Sequence, residues 1–169
     1  MNVTLLSSEQ AQTLITGLRR HATLAANLTA LLSDEYHAIK NGDAAAMERL
    51  SRAKLEVLAK LEQNEELRRQ FFRRVAPDVD STQLDAVTDR VPGAERERYR
   101  DVLASVTLAL RACAQQNQIN GATIGVVKRF TQELIAHMQG DPSTENADVT
   151  YGRNGQSAAA VTSNGLVRA

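Results

Sequence analysis

Apolar residues at Ala11, Leu14, Ile15, Leu18, Ala22, Ala25, Leu28, Leu32, Tyr36 and Ile39 follow one another almost entirely in steps of three and four. A period of 3.6 places all of them on one face of a single helix, which no strand of period two could do. Such a stripe must be buried against another element. Ser7 with Gln10 three positions later forms a capping-box pattern, so the helix is expected to begin there. At the other end Asn41-Gly42-Asp43 supplies a left-handed stop and then an acceptor for the amides of a following helix. The chain is expected to turn back at this point.

The second helix is predicted from Ala44 to about Val75, with Met47, Leu50, Val57, Leu58, Leu61, Phe71, Phe72 and Val75 facing inward. Lys54, Asn64 and Arg68 interrupt that seam, and the two long cations are expected to lay their stems along it with the charge lifted to solvent. Pro77 ends the helix, because it lacks an amide hydrogen and disfavours helical geometry in Ala76. A short helical turn over about 81–89 is expected to bridge to Val91-Pro92-Gly93. The pattern Tyr99, Val102, Leu103, Val106, Leu110, Cys113, Ile124, Val127, Leu134 and Met138 then implies a third helix over about 94–139. At 1.5 Å per residue it would reach about 70 Å, against roughly 50 Å for each of the others. It is expected to project beyond its neighbours or to be covered by a partner.

The pattern breaks off at Gly140. From Asp141 onward Pro, Ser, Thr, Asn, Gly and small apolar residues dominate, with no Ile, Phe, Met or Lys. Such a stretch buries too little apolar surface to offset its ordering entropy. Two regions are therefore predicted: a helical bundle domain over 1–140 and a flexible C-terminal tail over 141–169. The fold class is all-α, an elongated antiparallel bundle or coiled-coil hairpin of three long helices with a disordered tail. Tyr151 is the one tail side chain large enough to anchor a contact.

Charge and composition narrow the function. Lys plus Arg number 20 and Asp plus Glu number 20, so no net field draws the chain to nucleic acid or anionic membranes. Aromatics are 4% with no Trp, so the core is aliphatic. The N-terminal stretch shows no basic segment followed by an apolar run, and nothing approaches a membrane span, so no membrane insertion is expected. The single cysteine, Cys113, allows no internal disulfide and reads as a small core residue.

No constellation for catalysis emerges. Asp34 with His37 matches one carboxylate-histidine motif of a di-iron bundle, and Glu133 with His137 has the wrong spacing for a second. Both pairs read as solvated helix faces. His21, His37 and His137 share no metal spacing, and there is neither a nucleophile elbow nor a phosphate-cradling glycine loop. No enzyme activity, cofactor or metal is expected. Arg68-Arg69-Gln70-Phe71-Phe72-Arg73-Arg74 has the composition of a nucleic-acid or lipid-surface patch. The favoured reading is that its cations complement a helix C-terminus while the two Phe enter the core. Asn117, Asn120 and Gly121 are unusual in mid-helix; they are read as fixing register and permitting close helix approach, with a docking surface as the alternative.

Taken in order, Gly42-Asp43, Leu50, Lys54, Val57-Leu58, Leu61-Glu62, Arg68-Arg69, Asn117-x-x-Asn120-Gly121-x-x-Ile124 and Thr150-Tyr151-Gly152-Arg153-Asn154-Gly155 resemble the FlgN family of flagellar export chaperones. The likeness covers nearly the whole chain. It implies a cytoplasmic chaperone that binds hook-associated proteins, also called hook-filament junction proteins, and prevents their premature assembly or aggregation. The chaperone would deliver them to the membrane-embedded gate of the type III export apparatus, to which it would be recruited transiently. Components of the export ATPase join the implied partners.

In the family, the end of the third helix and the tail bind cargo, and the tail tyrosine is associated with gate docking. Carried over, this makes Tyr151 the gate-contact residue, with Gly152 and Gly155 shaping its turn; family members often carry Asp where this chain has Gly152. A cargo helix lying in a groove beside the third helix would meet Leu110, Ile124, Val127, Phe130, Leu134 and Met138. The rival readings are a coiled-coil structural adaptor in which the third helix pairs with its own copy in a homodimer, and a helical carboxylate-metal enzyme.

Overall fold

The computed structural model describes residues 5–138, and every regular element among them is helical. Helix α1 spans Ser8–Asn41, α2 spans Ala44–Val75 and α3 spans Gly93–Met138, with a 3₁₀ segment over Leu84–Arg90 between the last two. The expected tail, with Tyr151, Gly152 and Gly155, lies outside the described residues. The chain divides into two compact units after Val126, and residues 5–126 and 127–138 are described separately.

Helix boundaries follow the local chemistry. The Gln10 amide donates to Ser7 Oγ at 3.2 Å while the Ser7 amide donates to Gln10 Oε1 at 2.8 Å, completing the capping box. Gly42 sits at φ 64°, a left-handed conformation that costs a residue with a Cβ more than it costs glycine. Its amide closes α1 on Ile39 O at 3.2 Å. Asp43 then caps α2 by accepting the Ala46 amide at 2.9 Å. Past α2, Arg90 pairs with Asp78, and the Asp80 carboxylate takes both the amide and the hydroxyl of Thr82 at 2.8 Å. These local bonds hold the α2–α3 connection without a strand or a long helix. The 3₁₀ segment lies three residues later than the turn expected at 81, and α3 begins one residue earlier than expected.

In the first unit the two ends of α1 identify the helix directions. Asn64 of α2 reaches Gly17 O, and Lys54 pairs with Glu35, so α2 runs antiparallel to α1. The Leu6 amide bonds Arg90 O at 2.8 Å just before α3, and Asn120 reaches Leu32 O near the far end of α1. Up to that point α3 therefore advances in the direction of α1. The core gathers Leu14, Ile15 and Leu18 with Phe71, Phe72, Val87, Val91, Tyr99, Val102 and Val106. Burying a side chain the size of Phe72 contributes about 2–3 kcal/mol. Tyr99 is fully enclosed, and its hydroxyl donates to Leu84 O at 2.7 Å. That bond satisfies the one polar atom the ring brings inside, while burial pushes the phenol far above its ordinary pKa.

Several expectations are corrected. Leu58 is exposed rather than inward: it shares a heptad row with Phe72, but the cluster of Val87, Val91 and Tyr99 that encloses Phe72 does not reach it. Asn117 is exposed and makes no register contact; Asn120, on the row of Tyr99, Val106 and Cys113, is 2% exposed and does. A Cβ at Gly121 would meet nothing within 4 Å, so this glycine does not serve a close helix approach. Cys113 is half-buried rather than enclosed. The Phe71–Phe72 pair enters the core as expected, and Asp34, His37, Glu133 and His137 are all solvent-facing.

Candidate functional site: an exposed apolar face on the third helix

Helix α3 changes character along its length. Its first turns carry Glu95, Tyr99, Val102 and Val106, all buried, and beyond Val106 the one buried residue is Asn120. Large apolar side chains nevertheless continue. In the first unit Leu110 is 45% exposed and Ile124 47%, and their separation of fourteen positions, two heptads, returns them to one side of the helix. In the second unit Val127, Phe130, Leu134 and Met138 follow in steps of three and four on one face. Phe130 at 67% and Met138 at 80% are among the most exposed large apolar side chains of the described chain. Scattered apolar residues on a surface need no explanation, but rows at helical spacing mark contact faces.

All six residues expected to meet cargo are thus solvent-facing. A further apolar row went unrecognised in the sequence. Leu108, Ile119 and Val126 are separated by eleven and seven positions and are 66%, 40% and 56% exposed. Both intervals are close to whole numbers of helical turns, and that spacing was the available signal.

The polar groups inside the first unit set the position of α3. Asn120 Nδ2 donates to Leu32 O at 2.7 Å and to Glu35 Oε2 at 2.9 Å, and Gln116 donates to Asn120 Oδ1 at 3.0 Å. The other oxygen of Glu35 is taken by Lys54. One carboxylate therefore ties all three helices together. Lower down, Asn64 Nδ2 bonds Gly17 O at 3.1 Å and faces His21 Nδ1 at 3.4 Å. Burial, then the Arg68 charge, hold the His21 imidazole below its ordinary pKa, with Glu65 opposing. His21 and Glu35 were also missed in the sequence. They occupy a heptad row with Leu14 and Leu28, where a polar residue signals a buried polar contact.

Among the described residues no three His, Cys, Asp or Glu side chains gather in a way that would hold a metal ion. No helix among them is long and apolar enough to cross a membrane. What the described residues offer is apolar helix surface.

The family model described as FlgN protein matches residues 1–159. No curated protein and no solved structure gives a significant match. With almost the whole chain matched, and with helices that leave apolar rows uncovered, the chain belongs to the FlgN family of flagellar export chaperones.

Proposed function

We propose that this chaperone binds hook-associated, or hook-filament junction, proteins in the cytoplasm. It keeps their helical terminal segments from assembling or aggregating and delivers them to the type III export gate. The observation that carries this reading is the solvent exposure of Val127, Phe130, Leu134 and Met138 along one face of α3. Leu110 and Ile124 offer a second apolar contact within the first unit. An amphipathic cargo segment that lays its own apolar stripe on such a row is shielded from self-association while it is bound.

Tyr151, with Gly152 and Gly155, is assigned to the gate, and export ATPase components are further partners in the same delivery step. This assignment is supported by the family's tail motif. The test is truncation after Gln139 together with Tyr151→Ala in the full chain. The truncated protein should keep its helical circular dichroism and lose affinity for cargo or gate, while Tyr151→Ala should reduce gate binding alone. Export at the wild-type rate in the tyrosine variant would remove Tyr151 from the mechanism. Stable homodimers with no affinity for any hook-associated protein would instead favour a coiled-coil adaptor.

A further inference from the structure

A cleft between α1 and α2 is separate from the α3 rows and is not used by the cargo reading. It holds about 280 Å³ and is floored by Leu14, Leu18 and Phe71, with Asn64 closing one wall. Gly17 widens it, since a Cβ there would meet nothing within 4 Å. Three arginines, Arg20, Arg68 and Arg74, line it.

The chemistry of those arginines is unusual. Among the described residues the ion pairs engage Arg52, Lys54, Arg69, Arg73 and Arg90, and none of the three cleft arginines takes part in one. Arg20 and Arg74 reach solvent, but the Arg68 Nε is buried and has no hydrogen-bond partner. Arg68 is close enough to depress the pKa of His21 and to oppose the upward push on Tyr99, so its charge is felt within the core. With its Nε desolvated and unpartnered, the Arg68 guanidinium holds a charge at the cleft that nothing local compensates, and an incoming anion on its accessible edge would offset it. Guanidinium forks match carboxylates in two parallel bonds.

We propose that this cleft binds an acidic amphipathic peptide segment of a partner protein, with one apolar side chain on the Leu14, Leu18 and Phe71 floor and a neighbouring carboxylate on Arg68, flanked by Arg20 and Arg74. The volume selects this ligand class. It suits one or two side chains and lies at or below the roughly 300 Å³ lower end of small-molecule and cofactor sites, so a lipid chain or a nucleotide would not be enclosed. The apolar floor gives a bare phosphate nothing to contact, whereas a peptide satisfies both halves of the cleft.

The full-length protein is titrated by calorimetry with an acetylated, amidated helical peptide of Leu and Glu, and with its counterpart in which every Glu is Gln. The Glu peptide should bind about ten-fold more tightly than the Gln peptide. The paired surface change Arg20→Gln with Arg74→Gln should abolish most of that difference without moving the thermal melt. Arg68→Lys keeps the charge but loses the fork and the buried Nε, and it should also weaken the Glu peptide several-fold. In the wild-type protein, the backbone resonance of Gly17 and the side-chain Nε resonance of Arg68 should shift on binding. Equal affinity for the two peptides, or shifts confined to α3, would overturn the assignment. So would inorganic phosphate or phosphatidylglycerol vesicles outcompeting the Glu peptide.

Discussion

Asn120 Nδ2 donates to Glu35 Oε2 at 2.9 Å across the α1–α3 contact, and the same carboxylate accepts Lys54 from α2. Glu35 is 6% exposed, so this network is buried with its partners supplied from three helices. A slip of α3 along α1 would leave the amide and the carboxylate without partners, which is how a polar pair inside a helical interface fixes register.

Asn120→Ala should therefore cost about 2–4 kcal/mol in urea denaturation, because it strips hydrogen bonds from a buried carboxylate and a backbone carbonyl. Asn117→Ala, at an exposed position three residues away, should change stability by no more than about 0.5 kcal/mol. Equal effects would show that Asn120 has no register role.

Removing Lys54 alone leaves Glu35 buried with a charge and one amide partner. Lys54→Met should destabilise by about 2–4 kcal/mol, and Glu35→Gln should recover part of that loss in the double variant. Additive losses in the cycle would mean that the pair is energetically uncoupled.

His21 gives stability a pH dependence of determined sign. Its folded pKa lies below the ordinary 6.5, so between the two values the unfolded chain binds more protons than the folded one. The contribution is complete above 6.5 and is lost as pH falls through that value toward the folded pKa, at no more than about 1.4 kcal/mol per pH unit. His21→Gln should flatten the stability profile in this window. The depressed carboxyls of Glu66, Asp78 and Asp80 act only at more acidic pH.

Gly42→Ala should destabilise by about 1 kcal/mol, since alanine must take a φ of 64° to end α1 where Asp43 can start α2. An unchanged denaturation midpoint would show that the turn relaxes without strain.

The elements that were legible in the sequence are those governed by local chemistry. Ser7 with Gln10, Gly42 with Asp43, and Pro77 each act within a few residues, and the ends of α1 and α2 fell where those residues put them. Most of the α1 stripe was buried for the same reason. Side-chain partners were not legible, because they depend on which rows face one another. Asn117 and Asn120 look alike in sequence, yet a rotation of about 60° separates solvent from a buried bond to Leu32. Leu58 shares its heptad row with the enclosed Phe72, so its exposure depends on which neighbours reach it rather than on spacing. Arg68 and Arg74 belong in the sequence to a helix-end charge cluster, and nothing local reveals that Arg68 Nε is buried without a partner. Val127, Phe130, Leu134 and Met138 are legible in the sequence as a row at helical spacing, and so is the pair Leu110 and Ile124.

The account rests on the exposed row of α3 being a contact surface. The most direct measurement is calorimetric titration of the purified chaperone with a hook-associated protein, comparing wild type with the combined change Phe130→Ser, Leu134→Ser and Met138→Ser. All three side chains are more than half exposed, so the urea midpoint should stay within about 0.5 kcal/mol of wild type. Affinity should fall by at least about a hundred-fold, as when apolar anchors are removed from an interface. Unchanged cargo affinity in a variant of unchanged stability would contradict the account.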